Sequence, residues 1–525
     1  VRSGIEVAER RTPSTVNRQL SLAMSELHVY NTKTRSKELF EPLVPGKVGM
    51  YVCGITAYDY CHLGHARCYV AFDVICRYLK YLGYEVTHIQ NITDLDDKLI
   101  ARAREKDGDG SIKEKVADIA RKFSDAYSED MKKLNVLPAD SYPTATGNIL
   151  EMQEIIAGLI KKGIAYAREG DVYFEVAAFP GYGSLSGKNP DDLRAGARVA
   201  IDKKKKSPLD FALWKASVPG EPAWESPWGK GRPGWHIECS AMSMKLLGPT
   251  FDIHGGGQDL IFPHHENERA QSEGYTGKPF VRYWLHNGFV TINQEKMSKS
   301  LGNVFNLRDI YKVFPPRVVR FFLLSQHYRS PVDYSEEALK EAKRALFRID
   351  NCYGIMMDVA GDFATVPPDA KIMEEFKKAM NDDFNTAAAL AIVYSIAEEF
   401  YKKYRKPKLL EELKPRLAAL KEICSILGVE LINPIHELNA PDQSVDLLDY
   451  FGVSDRIIQE GKLTEGILHT LGHCRELARK NKDWDLADRI RDYLKDKDIT
   501  IMDRPGRSSV LVYYLDEMGN GELKI

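Results

Sequence analysis

No apolar run in the 525-residue chain approaches the roughly 18 residues that a membrane-spanning helix requires, so a bilayer-spanning helix is excluded. Cysteine is scarce: the eight, Cys53, Cys61, Cys68, Cys76, Cys239, Cys352, Cys424 and Cys474, form no CxxC pair. Such spacing excludes a disulfide framework and points to a reducing intracellular compartment. Net charge is nearly absent, with 73 Lys and Arg against 75 Asp and Glu, and charge alone therefore gives no nucleic-acid signature. No internal repeat is evident. What is present is ordinary for a globular protein: 44% hydrophobic and 28% charged residues exclude disorder across most of the chain.

The length implies three or four domains. Residues 1–23 carry Arg2, Arg10, Arg11 and Arg18 among Ser and Thr without an apolar period. They read as a non-core extension before a start at Met24, which predicts a cytoplasmic protein. An organellar presequence is the alternative, and Glu6 and Glu9 weigh against it. From Val48 short β-rich runs alternate with helical stretches, the pattern of a parallel α/β sheet. Gly49 to Cys53 reads as a buried strand, Gly64 to Leu82 as a helix stopped by Gly83, and Glu85 to Ile92 as a second strand. The fold class expected is α/β: a Rossmann-like parallel-sheet domain split over 24–111 and 231–275, with a connective insertion at 112–230. A connecting region, 276–335, precedes an all-α helical bundle, 336–432. A linker at 433–445 leads to a small C-terminal module, 446–525, with one helix predicted over Lys482 to Lys495.

Three groups of residues could carry chemistry. His62-Leu63-Gly64-His65 stands at a predicted helix start, where unpaired N–H groups and the helix dipole favour anions. Lys296-Met297-Ser298-Lys299-Ser300 offers two lysines and two hydroxyls for a polyphosphate. Each alone is weak, since most such runs are surface histidines or solvated basic loops. On one α/β scaffold they explain each other, one binding a nucleotide and the other closing over its phosphates. The third group is Cys53, Cys239 and the run His264-His265-Glu266-Asn267-Glu268. One His, one Glu and two thiolates would make a tetrahedral zinc site. Spacing leaves open His264 or His265, and Glu266 or Glu268; lone cysteines are also often small buried hydrophobes.

The first two motifs resemble those of class I aminoacyl-tRNA synthetases, with Leu63 where that class usually has Ile. More specifically the chain is similar to the cysteinyl-tRNA synthetase family, through Tyr51-Val52-Cys53-Gly54, Asn91-Ile92-Thr93-Asp94-Leu95-Asp96-Asp97-Lys98, Gly234 to Met242 and Asp252 to Glu268. The resemblance runs from about Glu26 to about Asp503. It implies activation of L-cysteine by ATP, with Mg2+, and transfer to the 3′ end of tRNA(Cys) by a monomer. It also implies one zinc ion per chain on Cys53, Cys239, His264 and Glu268. A zinc site of this kind would read the substrate sulfur, because a hydrophobic pocket separates near-isosteres by only about 10²-fold. Carried over residue by residue, His62, His65, Lys296 and Lys299 are the expected catalytic groups. His62, Gly64, His65, Asp259 and Lys299 are expected at ATP, and Trp235 and His254 in the cysteine pocket.

The other six cysteines are expected to pack. Asp94, Asp96 and Asp97 either cap a helix, with Thr93 as N-cap, or stand beside substrate. Lys203–Lys206 reads as a solvated run, with tRNA phosphates as the alternative. Asn381 to Thr386 and Lys482 to Asp492 resemble the family's helical domain and terminal module, with Trp484 and Ile490 expected in a core. Beyond Met502 the likeness fades: Gly506 is followed by Arg507-Ser508-Ser509, not the family's Thr-Thr-Trp, although Val510 to Leu515 reads as β. The alternatives weighed are a mycothiol-pathway ligase joining cysteine to an amino sugar, a zinc hydrolase, and a non-catalytic tRNA-binding paralogue.

Overall fold

The structure is a computed structural model. It describes residues 26–106, 109–189, 203–292, 295–296, 305–360, 365–403 and 407–432, then 475, 479, 484–495, 499–502, 510–513 and 521–524. Residues 1–23, Lys299, Cys474 and the 433–445 linker therefore lie outside the described residues, as does the side chain of Lys296. No helix among the described residues is long and apolar enough to cross a membrane.

The chain opens with a hairpin, β1 (His28–Asn31) and β2 (Ser36–Leu39). Strand β3 (Lys47–Thr56), helix α1 (Leu63–Tyr81) and strand β4 (Glu85–Thr93) follow, with β3 and β4 parallel. A parallel pair needs a crossover of about this length. Gly83, at φ 93°, gives the chain its reversal after α1. Next come α2 (Asp97–Glu105), α3 (Ile112–Lys133) and α4 (Ile149–Lys161). A four-stranded antiparallel sheet is built from β5 (Ala165–Arg168), β6 (Asp171–Phe174), β7 (Phe211–Ala216) and β8 (Gly231–Pro233). The chain then returns to the parallel sheet through α5 (Trp235–Leu247), β9 (Phe251–Gly257), α6 (Glu266–Thr276) and β10 (Val281–Asn287). The order β10-β9-β3-β4, with every neighbouring pair parallel, bears out the expected α/β class.

A smaller sheet joins β11 (Val290–Ile292), β12 (Glu295–Lys296) and β13 (Val332–Tyr334), with α7 (Leu307–Ile310) and α8 (Pro316–Leu324) between them. Four helices succeed it: α9 (Glu336–Ala360), α10 (Ala370–Asn381), α11 (Thr386–Lys403) and α12 (Pro407–Ile426). Last come α13 (Trp484–Lys495) and the antiparallel strands β14 (Ile499–Met502), β15 (Val510–Tyr513) and β16 (Gly521–Lys524). On α13, Ile490 is buried as expected, but Trp484 is 56% exposed. Trp484 starts the helix and falls off the stripe of Ala487, Ile490 and Leu494, whose three- and four-residue spacing fixes the buried face.

The fold divides into two compact units, the first comprising residues 1–334, 377–388 and 426–428. Within it, two charged groups tie distant segments together. The Arg320 guanidinium on α8 is buried against Asp73 of α1 and donates to the carbonyls of Leu134, Asn135 and Leu427. Asp383, fully buried at φ 62°, accepts from the Tyr30 N–H, the Tyr328 hydroxyl and Arg329. Removing Arg320 leaves Asp73 with Arg77 as its remaining cation and takes a donor from each of the Leu134, Asn135 and Leu427 carbonyls, and breaking a buried pair costs about 3–5 kcal/mol. Arg320→Met is therefore expected to lower the unfolding free energy by about 3–5 kcal/mol in urea titrations. Lys47→Met, which removes the exposed pair with Glu85, is expected to cost under about 1 kcal/mol.

Candidate functional site

At the C-terminal ends of the parallel strands lies a cleft of about 440 Å3, the place where open α/β sheets receive ligands. Its walls include Cys53, His62, His65, Lys98, Trp235 and Asp259. Cys53 reaches it because β3 slips register against β4 between Val52 and Ile55, and such an irregularity re-aims a side chain. Gly54 permits the slip: a Cβ there would stand 1.5 Å from the Asn91 carbonyl oxygen. Helix α5 delivers Cys239. Its Ile237 and Ala241, four residues apart, face the apolar core shared with α4 and β6, while Cys239 and Met242 face a second core with Tyr51 and Trp284. His264 lies in the wide turn before α6, and Glu268 lies in that helix's first turns.

These four side chains converge. His264 Nε2 is 2.9 Å from Glu268 Oε1, and Cys53 Sγ lies 4.0 Å from Cys239 Sγ and 3.7 Å from Glu268 Oε1. All four are buried, with donor atoms within 4.8 Å of one another. A tetrahedral ion with these ligands needs donor separations of roughly 3.3–3.8 Å, so small side-chain adjustments admit one. The geometry also bears on what spacing left open. Glu266 is engaged elsewhere, by Arg269 at 2.9 Å and the Ser186 N–H at 2.8 Å. His265 does approach Cys53, and Cys53, His254, His265 and Glu268 form a second compact set. The two sets differ in access. His264 stacks on Trp235, ring centroids 4.2 Å apart, and Trp235 forms the cleft wall; His254 and His265 have no exposure at all.

His254, expected in the substrate pocket, is fully buried and is not among the residues that line the cleft. Its Nε2 meets Glu268 Oε2 at 2.8 Å, and its ring stacks on Trp284 at 4.8 Å. Three further histidines join it: His265, which spacing leaves open as a ligand, and His236 and His286, which the sequence does not single out. His236 Nδ1 lies 2.9 Å from His264 Nδ1. His265 Nε2 lies 3.2 Å from Cys53 Sγ, and its Nδ1 meets His286 Nε2 at 2.8 Å. Burial holds all three below the ordinary histidine range, hence neutral. Burial would raise Glu268, but His254 and His264 hold it down to about 2. Burial would likewise lower His264, yet Glu268 and Cys239 raise it to about 10. Cys239 is drawn down to about 6, chiefly by a hydrogen bond with Cys53, whose own thiol is pushed up by burial.

On the other wall, His62 and His65 cap their own helix. His62 Nδ1 accepts the His65 N–H at 3.4 Å, His65 Nδ1 accepts the His62 N–H at 3.2 Å, and the rings stack at 3.7 Å. The start of α1 is thus fixed by the motif itself. Of the three glycines before Gln258, Gly255 and Gly256 are required from behind, since added Cβ atoms would meet Phe72 at 2.2 Å and His265 at 2.9 Å. The three aspartates after Thr93 have structural partners. Asp94 accepts from Thr146, Asp96 is the N-cap of α2, and Asp97 pairs with Lys215 and Arg232. Thr93 is not the N-cap: it ends β4 and donates to the buried Glu238 at 3.0 Å. In the tetralysine run, Lys204 pairs with Asp171 at 2.8 Å and Lys206 with Glu175 at 2.7 Å. Cys61, Cys76, Cys352 and Cys424 are buried, and Cys68 is half-buried.

Residues 39–344 match the family model described as the tRNA synthetases class I (C) catalytic domain, and residues 375–431 match the DALR domain. A cysteine–tRNA ligase of Thermodesulfovibrio yellowstonii is 50% identical over 504 residues, covering 92% of this chain and 99% of that protein. One from Syntrophotalea carbinolica is 48% identical over 494 residues, covering 91% and 98%. Among solved structures, a Mycobacterium tuberculosis methionyl-tRNA synthetase in complex with methionyl-adenylate is similar in fold, with a TM-score of 0.54 at 16% identity over 73% of this chain and 90% of that one.

Loading metal-stripped protein with Co2+ is expected to give the visible absorption of a tetrahedral thiolate site at one ion per chain. Cys239→Ser should abolish that spectrum. His236→Ala should weaken metal affinity about 10- to 100-fold, as loss of a ligand-orienting partner does. Uptake should weaken as pH falls, because protons compete at His264 and Cys53.

Proposed function

The chain belongs to the cysteine–tRNA ligase family of class I tRNA synthetases, and on that premise we propose that it joins L-cysteine to tRNA(Cys) using ATP. The observation that carries this reading is the buried set of two sulfurs, one imidazole and one carboxylate at the wall of the nucleotide cleft. Cys53, Cys239, His264 and Glu268 would hold a zinc ion. Bound there, zinc supplies a soft Lewis acid for a substrate thiolate and only a weak site for a hydroxyl. Neutral His236 and the buried His254 orient the His264 and Glu268 ligands, and the exposed Trp235 ring covers the cysteine side chain.

In the first half-reaction a carboxylate oxygen of cysteine attacks the α-phosphate of ATP-Mg2+. The new P–O bond forms as the bond to the β-phosphate bridging oxygen breaks, and pyrophosphate leaves with the electron pair. Positioning and charge stabilisation suffice for such a step. His62, His65 and the backbone at Gly64, at the positive end of α1, face the phosphates, and Asp259 takes the ribose hydroxyls. Lys296 and Lys299 neutralise the departing pyrophosphate. In the second half-reaction a 3′-terminal ribose hydroxyl attacks the acyl carbon and AMP leaves. The relatives, cysteine–tRNA ligases matched along nearly their whole length, support tRNA over an amino sugar as acceptor.

The test is cysteine-dependent pyrophosphate exchange, followed by transfer of labelled cysteine to tRNA bearing a GCA anticodon. Exchange is expected with cysteine and at least 100-fold less with serine. Cys239→Ser is expected to lower kcat/KM for cysteine by 100-fold or more, about 2.7 kcal/mol. Transfer to an amino sugar but not to tRNA would overturn the reading.

A further inference from the structure

One wall of the cleft carries an arrangement that neither the metal cluster nor the nucleotide motifs use. Lys98, exposed in the first turn of α2, lines the cleft together with Tyr58. Its Nζ lies over the Tyr58 ring, 5.1 Å from the centroid. Among the described residues no carboxylate pairs with it, whereas the cations around it are nearly all neutralised. Lys215 and Arg232 share Asp97, Arg102 pairs with Asp59, Arg104 with Glu221, and Arg308 with Asp130 and Glu129.

The pairing of cations with rings continues away from the cleft. Arg102 donates to the Tyr58 carbonyl at 2.6 Å and lies over Phe123 at 4.8 Å. Phe123 packs edge-on against Tyr60 at 5.0 Å. Arg308 lies over Tyr60 at 4.8 Å, and Lys122 approaches both Phe123 and Tyr60, at 5.2 and 5.8 Å. Lys122 is exposed and, like Lys98, has no carboxylate partner among the described residues. Half-buried tyrosines thus form a shelf with an uncompensated ammonium at the cleft and another farther along α3.

Aromatic faces interleaved with cations are what single-stranded nucleic acid requires, the rings for bases and the cations for the backbone. A nucleoside triphosphate is held within the cleft and has no use for a row leading out of it. Sheet order separates the two roles further. Lys98 follows β4 at one edge of the sheet, while β11 and β12, which lead to the lysines expected at pyrophosphate, follow β10 at the other. Those edges are three strand spacings apart, roughly 14 Å. An ammonium resting on a tyrosine ring can also accept a phosphate without giving up an ion pair.

We infer that Tyr58, Tyr60, Lys98 and Lys122 form the track along which the single-stranded 3′ end of the acceptor RNA enters, with Lys98 on its last phosphates. This rests on the proposed function and adds a tRNA-binding role for residues that follow the opposite edge of the sheet from β11 and β12.

The experiment compares two assays of the full chain, pyrophosphate exchange without tRNA and cysteinylation of tRNA with a GCA anticodon. Lys98→Ala is expected to lower kcat/KM for tRNA about tenfold more than it lowers exchange, and Lys98→Arg to restore most of the loss. The dependence of log KM for tRNA on log salt should become shallower by about 0.7, one single-strand phosphate contact. Lys122→Ala should act in the same direction. Equal losses in the two assays would overturn the inference, since Lys98 would then serve ATP or cysteine, and so would no loss in either. Failure of the unmutated enzyme to charge tRNA would bring down the proposed function itself, and it is seen before any variant is compared.

Discussion

A carboxylate with no solvent contact, Glu268, is the constraint around which the cleft is organised. Burial penalises its charge heavily, and an unpaired carboxylate there would simply take up a proton. It remains ionised because His264 holds one oxygen and His254 the other. Those two imidazoles come from different elements, a turn and the central strand β9, so Glu268 fixes α6 against the sheet. His236 of α5 then fixes the far side of His264, and Cys53 arrives from the irregular segment of β3. A site assembled from a strand slip, two helices and a turn has little freedom to rearrange. That rigidity suits a task in which one substrate atom decides acceptance.

How much of this was legible in the sequence varies with the physics involved. The βαβ unit was readable because apolar runs and Gly83 mark its limits, and the structure agrees within three residues at every boundary. Spacing also brought Cys53, Cys239 and the His264–Glu268 run under suspicion. It could not choose within that run, since two adjacent histidines and two nearby glutamates are all compatible with a short helix. Glu266 is removed by Arg269 and Ser186, partners contributed by tertiary packing. His254 could not be placed by pattern either: it lies in a strand buried on both faces, where alternation no longer separates inside from outside.

Charged and cap residues show a related limit. Thr93 looked like a cap because it precedes three aspartates, yet the strand runs one residue longer than predicted and Asp96 takes the role. The lysines at 203–206 read as solvated, and two of them instead close ion pairs with β6 and the residue after it. Such pairings depend on neighbours remote in sequence. The exposed Trp484 illustrates the same point from the apolar side, since its type suggested a core while its helical phase places it outside the buried stripe.

The four side chains proposed to hold the metal ion are distributed so that Cys53 and Glu268 are separated by 215 positions. Between them run α1, β4, the helices and sheet that follow, and the whole of β9. During synthesis, when chains emerge N-terminal end first, the early thiol must therefore remain unliganded until the last of these segments has left the ribosome. An ion held there would then report completed topology, because a chain that mispairs β3 and β9 cannot assemble the donor set. Competence for catalysis and correctness of the fold would then be tested by the same coordination event.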